Sequence, residues 1–239
     1  MSSSASPRAQ GRIYLLYALL HLAVLLLIFL LAVGIGSVRV APGTILEIIA
    51  HRTGVQTLDA IRLEELGPLI SIIWDVRLPR VIMAFVVGAA LSLAGAVMQS
   101  ILRNPLASSY TIGVSSGASL GAAVAVSFGF STVLGMWTLP LAGSVTGILT
   151  VVLVMALAFR LDRNMENHTI ILVGMVMQLF FGGILTLLMS LSRETMQTLV
   201  LWQMGSFQGL GWQQTAVLTP ILLIVGLVIT ARSHSLDLL

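Results

Sequence analysis

The sequence contains no cysteine, and its twelve basic residues are all arginine, so lysine is absent as well. Without cysteine the chain can form no disulfide, thiolate nucleophile, iron–sulfur cluster or cysteine-ligated zinc site. Without lysine it cannot supply the lysine of a P-loop, of a Schiff base or of a pyridoxal site. These absences exclude enzyme sites that depend on a thiolate or on a lysine from this chain.

Charged residues are scarce too, since they make up 9% of the chain, against about 25% in ordinary globular proteins. Hydrophobic residues make up 57%, and the mean hydropathy is +1.04. This composition predicts an all-α, polytopic transmembrane helix bundle in which each apolar segment is one span. The small net charge of +3 is expected at cytoplasmic span ends, with membrane lipid rather than nucleic acid as the surroundings.

Six apolar segments are long enough to cross a hydrocarbon layer of about 30 Å at about 1.5 Å of rise per residue. The predicted spans are residues 13–36, 81–101, 109–129, 139–159, 169–191 and 212–230. They divide the chain into an N-terminal tail, residues 1–12, and one transmembrane domain, residues 13–239. Residues 37–76 carry five acidic residues and three arginines, so this segment is expected to lie outside the membrane on the extracytoplasmic face.

The first apolar run is longer than the core of a signal peptide, which has roughly 7–15 residues, so a retained first span is expected. Arginines fall six on each side of the predicted membrane. Orientation therefore rests on the short loops and span ends, which favour a cytoplasmic N-terminal tail.

The stretch from Arg77 to Gly117 has the most regular spacing of small residues in the sequence. Small residues recur there at every fourth position along two successive spans, which lets helix backbones approach closely. A polar face on the fifth span carries a glutamine. The candidates for helix packing or for lining a translocation path are Gly88, Ser92, Gln99, Gly113, Gly117 and Gln178. The pattern leaves both roles open.

Ionisable groups are almost absent from the six predicted span cores, which contain no Asp, Glu or Arg and one histidine, His21. Proton-coupled carriers and intramembrane proteases need such groups at membrane depth. The four histidines also lack the spacing of a metal site, so no metal or other cofactor is expected in this chain. The chain is therefore not expected to be an enzyme, and transport against a gradient would need energy from a partner.

Several sequence blocks resemble the permease subunits of the iron–siderophore, haem and vitamin B12 ABC importers, the FecCD or BtuC-like family. Four blocks lie in register: RLPR (77–80), VGAALSLAGAVMQ (87–99), RNPLA (103–107) and GVSSGASLGA (113–122). Two later ones, ILVGMVMQLFFGGIL (171–185) and LWQMGSF (201–207), keep the same order. The resemblance implies a permease of ten spans in the bacterial inner membrane, of which about six are present here.

The resemblance also implies partners. They are a second permease subunit, forming a homodimer or heterodimer, a pair of cytoplasmic ATPases that use ATP, and an extracytoplasmic substrate-binding protein. The implied cargo is a metal chelate: an iron–siderophore, haem or cobalamin complex. ATP would be used by the partner subunit, so the resemblance implies no cofactor bound by this chain.

Individual residues take roles from the resemblance. Arg77 and Arg80 match extracytoplasmic arginines that dock glutamates of the binding protein, although both could simply anchor the second span at the headgroups. Asn167 and His168 fall where relatives have a cytoplasmic gate of small polar residues, from which His168 departs. In the turn between the second and third spans, Asn104 and Pro105 have a structural role, because proline ends a helix.

The end of the sequence departs from the family. In relatives a segment like Ser235 to Leu239 leads into the helices that contact the ATPase, and four further spans follow. A fragment or a truncated gene product is therefore expected. Two other functions are weighed against the importer: an ATPase-independent secondary transporter or channel subunit, and a noncatalytic membrane scaffold. The chain does not indicate which chelate is moved.

Overall fold

The computed structural model describes residues 7–108, 110–130, 132–191 and 193–232. The first residues of the predicted tail, 1–6, and the segment from Ser235 to Leu239 lie outside the described residues. Within the described ranges the chain forms helices joined by turns, without strands, so the prediction of an all-α fold is confirmed. The α-helices are α1 Pro7–Gly34, α2 Pro42–Arg52, α3 Ala60–Ile70, α4 Leu78–Ile101, α5 Val114–Ser127, α6 Thr138–Leu161, α7 Asn167–Leu191, α8 Arg193–Met204 and α9 Trp212–Ala231.

Among the described residues, five helical segments are long and apolar enough to cross a membrane. They are Ile13–Gly34, Ala60–Ile101, Gly135–Leu161, Asn167–Leu191 and Trp212–Ala231. Four of them overlap the first, fourth, fifth and sixth predicted spans. The second predicted span, residues 81–101, is the end of a helical run of 42 residues that begins at Ala60.

The third predicted span, residues 109–129, is shorter in the structure. Its helix, α5, has 14 residues, or about 21 Å at 1.5 Å per residue, which is less than the hydrocarbon thickness. The helix starts late because Gly113, its N-cap, has a φ of +78°, a left-handed conformation that cannot continue an α-helix. Residues 110–113 form a turn instead.

The chain forms two compact units, of which the first comprises Met1–Val87 and Phe207–Leu222. Its hydrophobic core combines the end of α1 with α2, α3 and the start of α4. The buried core residues are Val33, Val40, Ile45, Ile48, Leu66, Ile70, Ile73 and Leu78. Helix α2 is amphipathic, as the spacing of its isoleucines predicts, because Ile45 and Ile48 are fully buried.

Helices α2 and α3 of this unit are joined by an ion pair. Arg62 donates from Nε to Oε1 of Glu47 and from Nη2 to Oε2, both at 2.9 Å, which is the bidentate geometry of a strong guanidinium–carboxylate pair. Arg62 also donates to Glu65 at 3.0 Å. The pairing with Arg62 lowers the pKa of Glu47. Asp59 caps the start of α3 by accepting from the backbone N–H of Arg62 at 2.9 Å.

A π-helix, Ser71–Arg77, joins α3 to α4 without a break in the helical path. The N–H of Leu78 reaches back five residues to the carbonyl of Ile73 rather than four to that of Trp74. Pro79 follows at once and is fully buried. Because proline has no N–H, the backbone at this junction cannot complete an ordinary α-helical ladder.

The second compact unit comprises Gly88–Ser206 and Leu223–Leu239, and among its described residues α5 packs against α6, α7 and α8. The buried face of α5 is built of small residues: Gly117, Gly121, Ala122, Ala123 and Ala125. A Cβ on Gly117 would overlap the hydroxyl of Thr150, and one on Gly121 would overlap that of Thr146. Both threonine hydroxyls donate to carbonyls of their own helix at 2.8 Å, so their side chains enter the α5 face with their polar groups satisfied.

Replacing Gly117 by alanine tests this packing. Gly117→Ala should lower the free energy of unfolding by about 1–3 kcal/mol, because its Cβ must displace Thr150 in a close-packed interface. The added change Thr150→Ala should recover part of the loss. The measurement is thermal unfolding of the purified chain in detergent micelles.

The matched control for this substitution is Gly183→Ala in α7. Apart from the backbone of α7, no atom in the described part of the chain lies within 4 Å of a Cβ built on Gly183, so the alanine should be neutral or stabilise the helix by up to about 1 kcal/mol. Equal melting temperatures for the Gly117 and Gly183 variants would contradict the packing described for α5.

Candidate docking and translocation site

Arg77 lies at the end of the π-helix, and its guanidinium contacts the C-terminus of α1. Nη1 donates to the carbonyls of Val33 at 2.9 Å and Gly34 at 3.3 Å, and Nη2 donates to that of Val38 at 2.6 Å. The last carbonyls of a helix lack intrahelical donors and carry partial negative charge, so a guanidinium is a suitable cap for them. Three hydrogen bonds leave two of the five guanidinium N–H groups of Arg77 for other acceptors.

Arg80 follows three residues later in the first turn of α4 and is partly buried. Its Nε is buried without a hydrogen-bond partner among the residues that the structure describes. The two predicted docking arginines therefore differ in their surroundings. Arg77 is largely committed to α1, whereas Arg80 retains donor capacity.

Two tryptophans that no sequence motif singles out, Trp74 and Trp212, contact each other in the first unit. The indole Nε1 of Trp212 donates to the backbone carbonyl of Trp74 at 2.9 Å. The two ring systems are tilted by 40°, with centroids 4.9 Å apart, in the range of favourable aromatic pairs. A sequence signal for this contact is the proline of the RLPR block, which leaves a carbonyl of the preceding turn without a backbone donor.

In the second unit, the structure brings Gly113 and Gln178 together. A Cβ on Gly113 would lie 3.1 Å from the carbonyl of Gly174 and 3.3 Å from the backbone nitrogen of Gln178, so the turn before α5 crosses α7 at backbone distance. Gly117 faces α6 one turn further on. Gln178 itself is exposed.

The small-residue face of α4 is not covered. Gly88, Ser92 and Gln99 are exposed, and apart from its own helix backbone no atom of the described residues lies within 4 Å of a Cβ built on Gly88. The same spacing of small residues thus corresponds to a buried packing face on α5 and to an open, uncharged face on α4. Sequence spacing alone did not distinguish these two situations.

Asn104 and Pro105 lie in the turn between α4 and α5, where they were expected. The side-chain Oδ1 of Asn104 accepts from the N–H of Leu106 at 2.9 Å. The backbone carbonyl of Asn104 accepts from the N–H of Ala107 at 3.0 Å. Arg103 has a φ of +45°, which tightens the reversal. The turn is therefore held by local hydrogen bonds of the asparagine.

The turn between α6 and α7 is organised by Asp162. Its carboxylate accepts from the N–H groups of Asn164 and Glu166, both at 2.9 Å, and lies 3.4 Å from the Thr169 hydroxyl. The hydrogen bonds from the Glu166 and Asn164 backbone lower the pKa of Asp162, because they stabilise its charged form.

The predicted gate residues lie just after this turn. Asn167 is the first residue of α7 and is partly buried. His168 has a side chain that is 78% exposed, with Nδ1 at 3.3 Å from Oε2 of Glu166. Among the described residues no group of three His, Asp or Glu side chains could hold a metal ion.

Comparison with known proteins identifies the family. The model of the FecCD transport family matches residues 24–239, nearly the whole chain. The chain belongs to the FecCD transport family. The predicted family and the prediction of a multi-pass membrane protein are thus confirmed.

Curated relatives are permease proteins of several import systems. The chain is 35% identical to the uncharacterised ABC transporter permease YvrB of Bacillus subtilis over 71% of its length and 48% of the relative. It is 31% identical to the molybdate import permease MolB of Haemophilus influenzae, over 87% of this chain and 59% of MolB. The vitamin B12 import permease BtuC of Salmonella arizonae is 34% identical over 63% of this chain and 45% of that protein.

A solved structure gives the same result. It is described as an inward-facing conformation of a metal-chelate type ABC transporter, and it matches with a TM-score of 0.72 and 30% identity. The match covers 93% of this chain and 64% of the solved one. The chain spans about half the length of the curated relatives it matches.

The lowered pKa of Asp162 leads to a prediction about pH. A carboxylate whose pKa is lower in the folded state stabilises the fold above its unfolded pKa of about 3.9, and this contribution is lost as the pH falls through the folded value. Asp162→Asn should therefore melt below the wild type at pH 7, and the gap should shrink below about pH 4. Melting temperatures from pH 7 to pH 3 measure this.

The control for the pH series is Asp75→Asn, which changes an exposed aspartate without a hydrogen bond to any described residue. This variant should follow the wild type at every pH. A melting difference for Asp162→Asn that stays constant down to pH 3 would contradict the role given to its charge.

Proposed function

We propose that this chain is a permease subunit of a binding-protein-dependent ABC importer, which moves a metal-containing solute inward with ATP hydrolysed by a separate subunit. The observation that carries the proposal is the family match over residues 24–239. It agrees with the scarcity of charge in the predicted spans, since spans without Asp, Glu or Arg and with one histidine favour energy supplied by a partner.

The cargo proposed is a metal chelate of the iron–siderophore, haem or cobalamin class. Support comes from the relatives named for vitamin B12 import and from the metal-chelate type of the solved neighbour, whereas another relative is named for molybdate import. The exposed face of α4, with Gly88, Ser92 and Gln99, is proposed to line the path together with Gln178 of α7. Small neutral side chains leave room for a large complex and hold it weakly, which suits passage rather than storage.

The partners proposed are a second permease subunit, a pair of ATPases and a substrate-binding protein outside the membrane. Arg80 is partly exposed and its side chain has no hydrogen bond to a described residue, so it is the stronger candidate for docking a carboxylate of the binding protein. Arg77 has two N–H groups left for the same purpose while it caps α1. On the cytoplasmic side, Asn167 and the exposed His168 are proposed as part of the gate.

Charge reversal at Arg80 tests the docking role. Arg80→Glu in the assembled transporter should weaken binding of its substrate-binding protein by about tenfold to hundredfold, because a docked carboxylate would then face a like charge. The measurement is surface plasmon resonance on transporter in lipid nanodiscs, at two salt concentrations. The loss should be smaller at high salt.

The control is Arg52→Glu, which reverses an exposed arginine at the end of α2 in the same compact unit. It should change the affinity little. An Arg80→Glu transporter that folds and binds its partner as tightly as the wild type would rule out docking through Arg80.

Dependence on a partner ATPase is the second test of function. Uptake into proteoliposomes should stop when the Walker lysine of the ATPase is replaced, and it should continue when an uncoupler removes the proton gradient. The reverse pattern would indicate a secondary transporter. Absence of uptake by the complete assembly with every metal chelate tried would favour a scaffold.

A further inference from the structure

The hydrogen bond between Trp212 and Trp74 has an unusual acceptor. The indole N–H of Trp212 reaches a backbone carbonyl inside a helical run, 138 residues earlier in the chain. Carbonyls within helices normally accept from the N–H four residues later, and they rarely need a side-chain donor. The carbonyl of Trp74 needs one because neither of its possible helical donors is available.

The first possible donor is the N–H of Leu78, four residues after Trp74. In the π-helix this N–H donates to Ile73 instead. The second is position 79, five residues after Trp74, which would serve in a continuing π-helix. That position is Pro79, and proline has no N–H. The Trp74 carbonyl is thus left open by the local sequence, and the indole of Trp212 satisfies it.

The same stretch of helix sets the direction of Arg77. Arg77 ends the π-helix, and its guanidinium lies on the carbonyls of Val33, Gly34 and Val38. If the Leu78 N–H donated to the Trp74 carbonyl, four residues back, the π-turn would become an α-turn, which contains one residue fewer. One residue corresponds to a rotation of about 100°, which would carry Arg77 away from the α1 carbonyls.

We infer that Trp212 is a positioning residue for Arg77. Its indole N–H satisfies the Trp74 carbonyl, so the π-turn leaves no unpaired acceptor that a return of Leu78 to the α-helical register would satisfy. The π-helix is thereby held in the form that keeps Arg77 on the end of α1. The positioning of Arg77 by Trp212 does not depend on the proposed function. Its consequence does, namely that Arg77 presents its remaining N–H donors to the binding protein.

The first experiment measures backbone protection and needs no binding protein. Trp212→Phe keeps a ring against Trp74 and removes the N–H donor. Hydrogen–deuterium exchange of the transporter in nanodiscs should speed up by about three- to tenfold over residues 71–80, as expected for the loss of one net hydrogen bond. The segment 35–40 should also exchange faster, because the Val40 amide donates to the Gly34 carbonyl, to which Arg77 also donates.

The matched control is Trp137→Phe, since the Trp137 indole has no hydrogen bond to any residue that the structure describes. It should leave both segments unchanged. Unchanged exchange of residues 71–80 in Trp212→Phe would overturn the inference. Faster exchange there with an unchanged segment 35–40 would also overturn it, because Arg77 would then be held without Trp212.

A rescue variant separates the hydrogen bond from general packing. Pro79→Ala supplies a backbone N–H at the junction, so the Trp74 carbonyl no longer depends on the indole. Adding Trp212→Phe to Pro79→Ala should therefore change the exchange of residues 71–80 much less than it does in the wild type. An equal effect in both backgrounds would show that Trp212 acts by packing alone and would overturn the inference.

The second experiment tests the consequence for docking by a double-mutant cycle. Trp212→Phe should weaken the binding protein's affinity by about three- to tenfold, and it should have no further effect in an Arg77→Gln background. Additive losses would overturn positioning through Arg77. If Arg77→Gln alone leaves the affinity unchanged, docking through Arg77 is wrong, and the exchange experiments still decide whether Trp212 positions it.

Discussion

The need to satisfy every backbone carbonyl without water governs this structure, because a carbonyl left unpaired in or near hydrocarbon is costly. Where the helical ladder is interrupted, a side chain takes over. Arg77 caps the last carbonyls of α1, and Trp212 serves the carbonyl of Trp74 beside Pro79. Both contacts lie in the same compact unit and meet at one π-helix. In the π-helix that precedes the second predicted span, the carbonyl of Trp74 is therefore satisfied by a side chain in place of a backbone donor.

Because of this arrangement, the two arginines of the RLPR block have different roles in the structure. Read as sequence, its two arginines are equivalent basic residues at the head of a span. In the structure the proline between them creates an open carbonyl, the first arginine turns back to α1, and the second keeps an unpaired Nε. The RLPR block thus contains three features: Arg77 caps α1, Pro79 leaves the Trp74 carbonyl without a backbone donor, and Arg80 is a candidate docking charge.

The helices of this chain were largely predictable from apolar runs and from the spacing of residues such as Ile45 and Ile48, since burial of one face is a local pattern. The π-helix was not, because it depends on Trp212, far away in the chain. The late start of α5 was missed for a similar reason, since the backbone of Gly113 is set by its crossing with α7. Local sequence could not tell the open face of α4 from the packed face of α5.

The two threonines that enter the glycine face of α5 have a mechanical consequence. Thr146 and Thr150 lie one helical turn apart on α6. Their side chains fill the spaces left by Gly121 and Gly117 on α5. Any axial sliding of α5 along α6 would drive these side chains into backbone, and a close-packed interface does not deform gradually. The contacts at Gly117 and Gly121 therefore oppose sliding of α5 along α6, so we expect relative movement of helices to occur outside this pair.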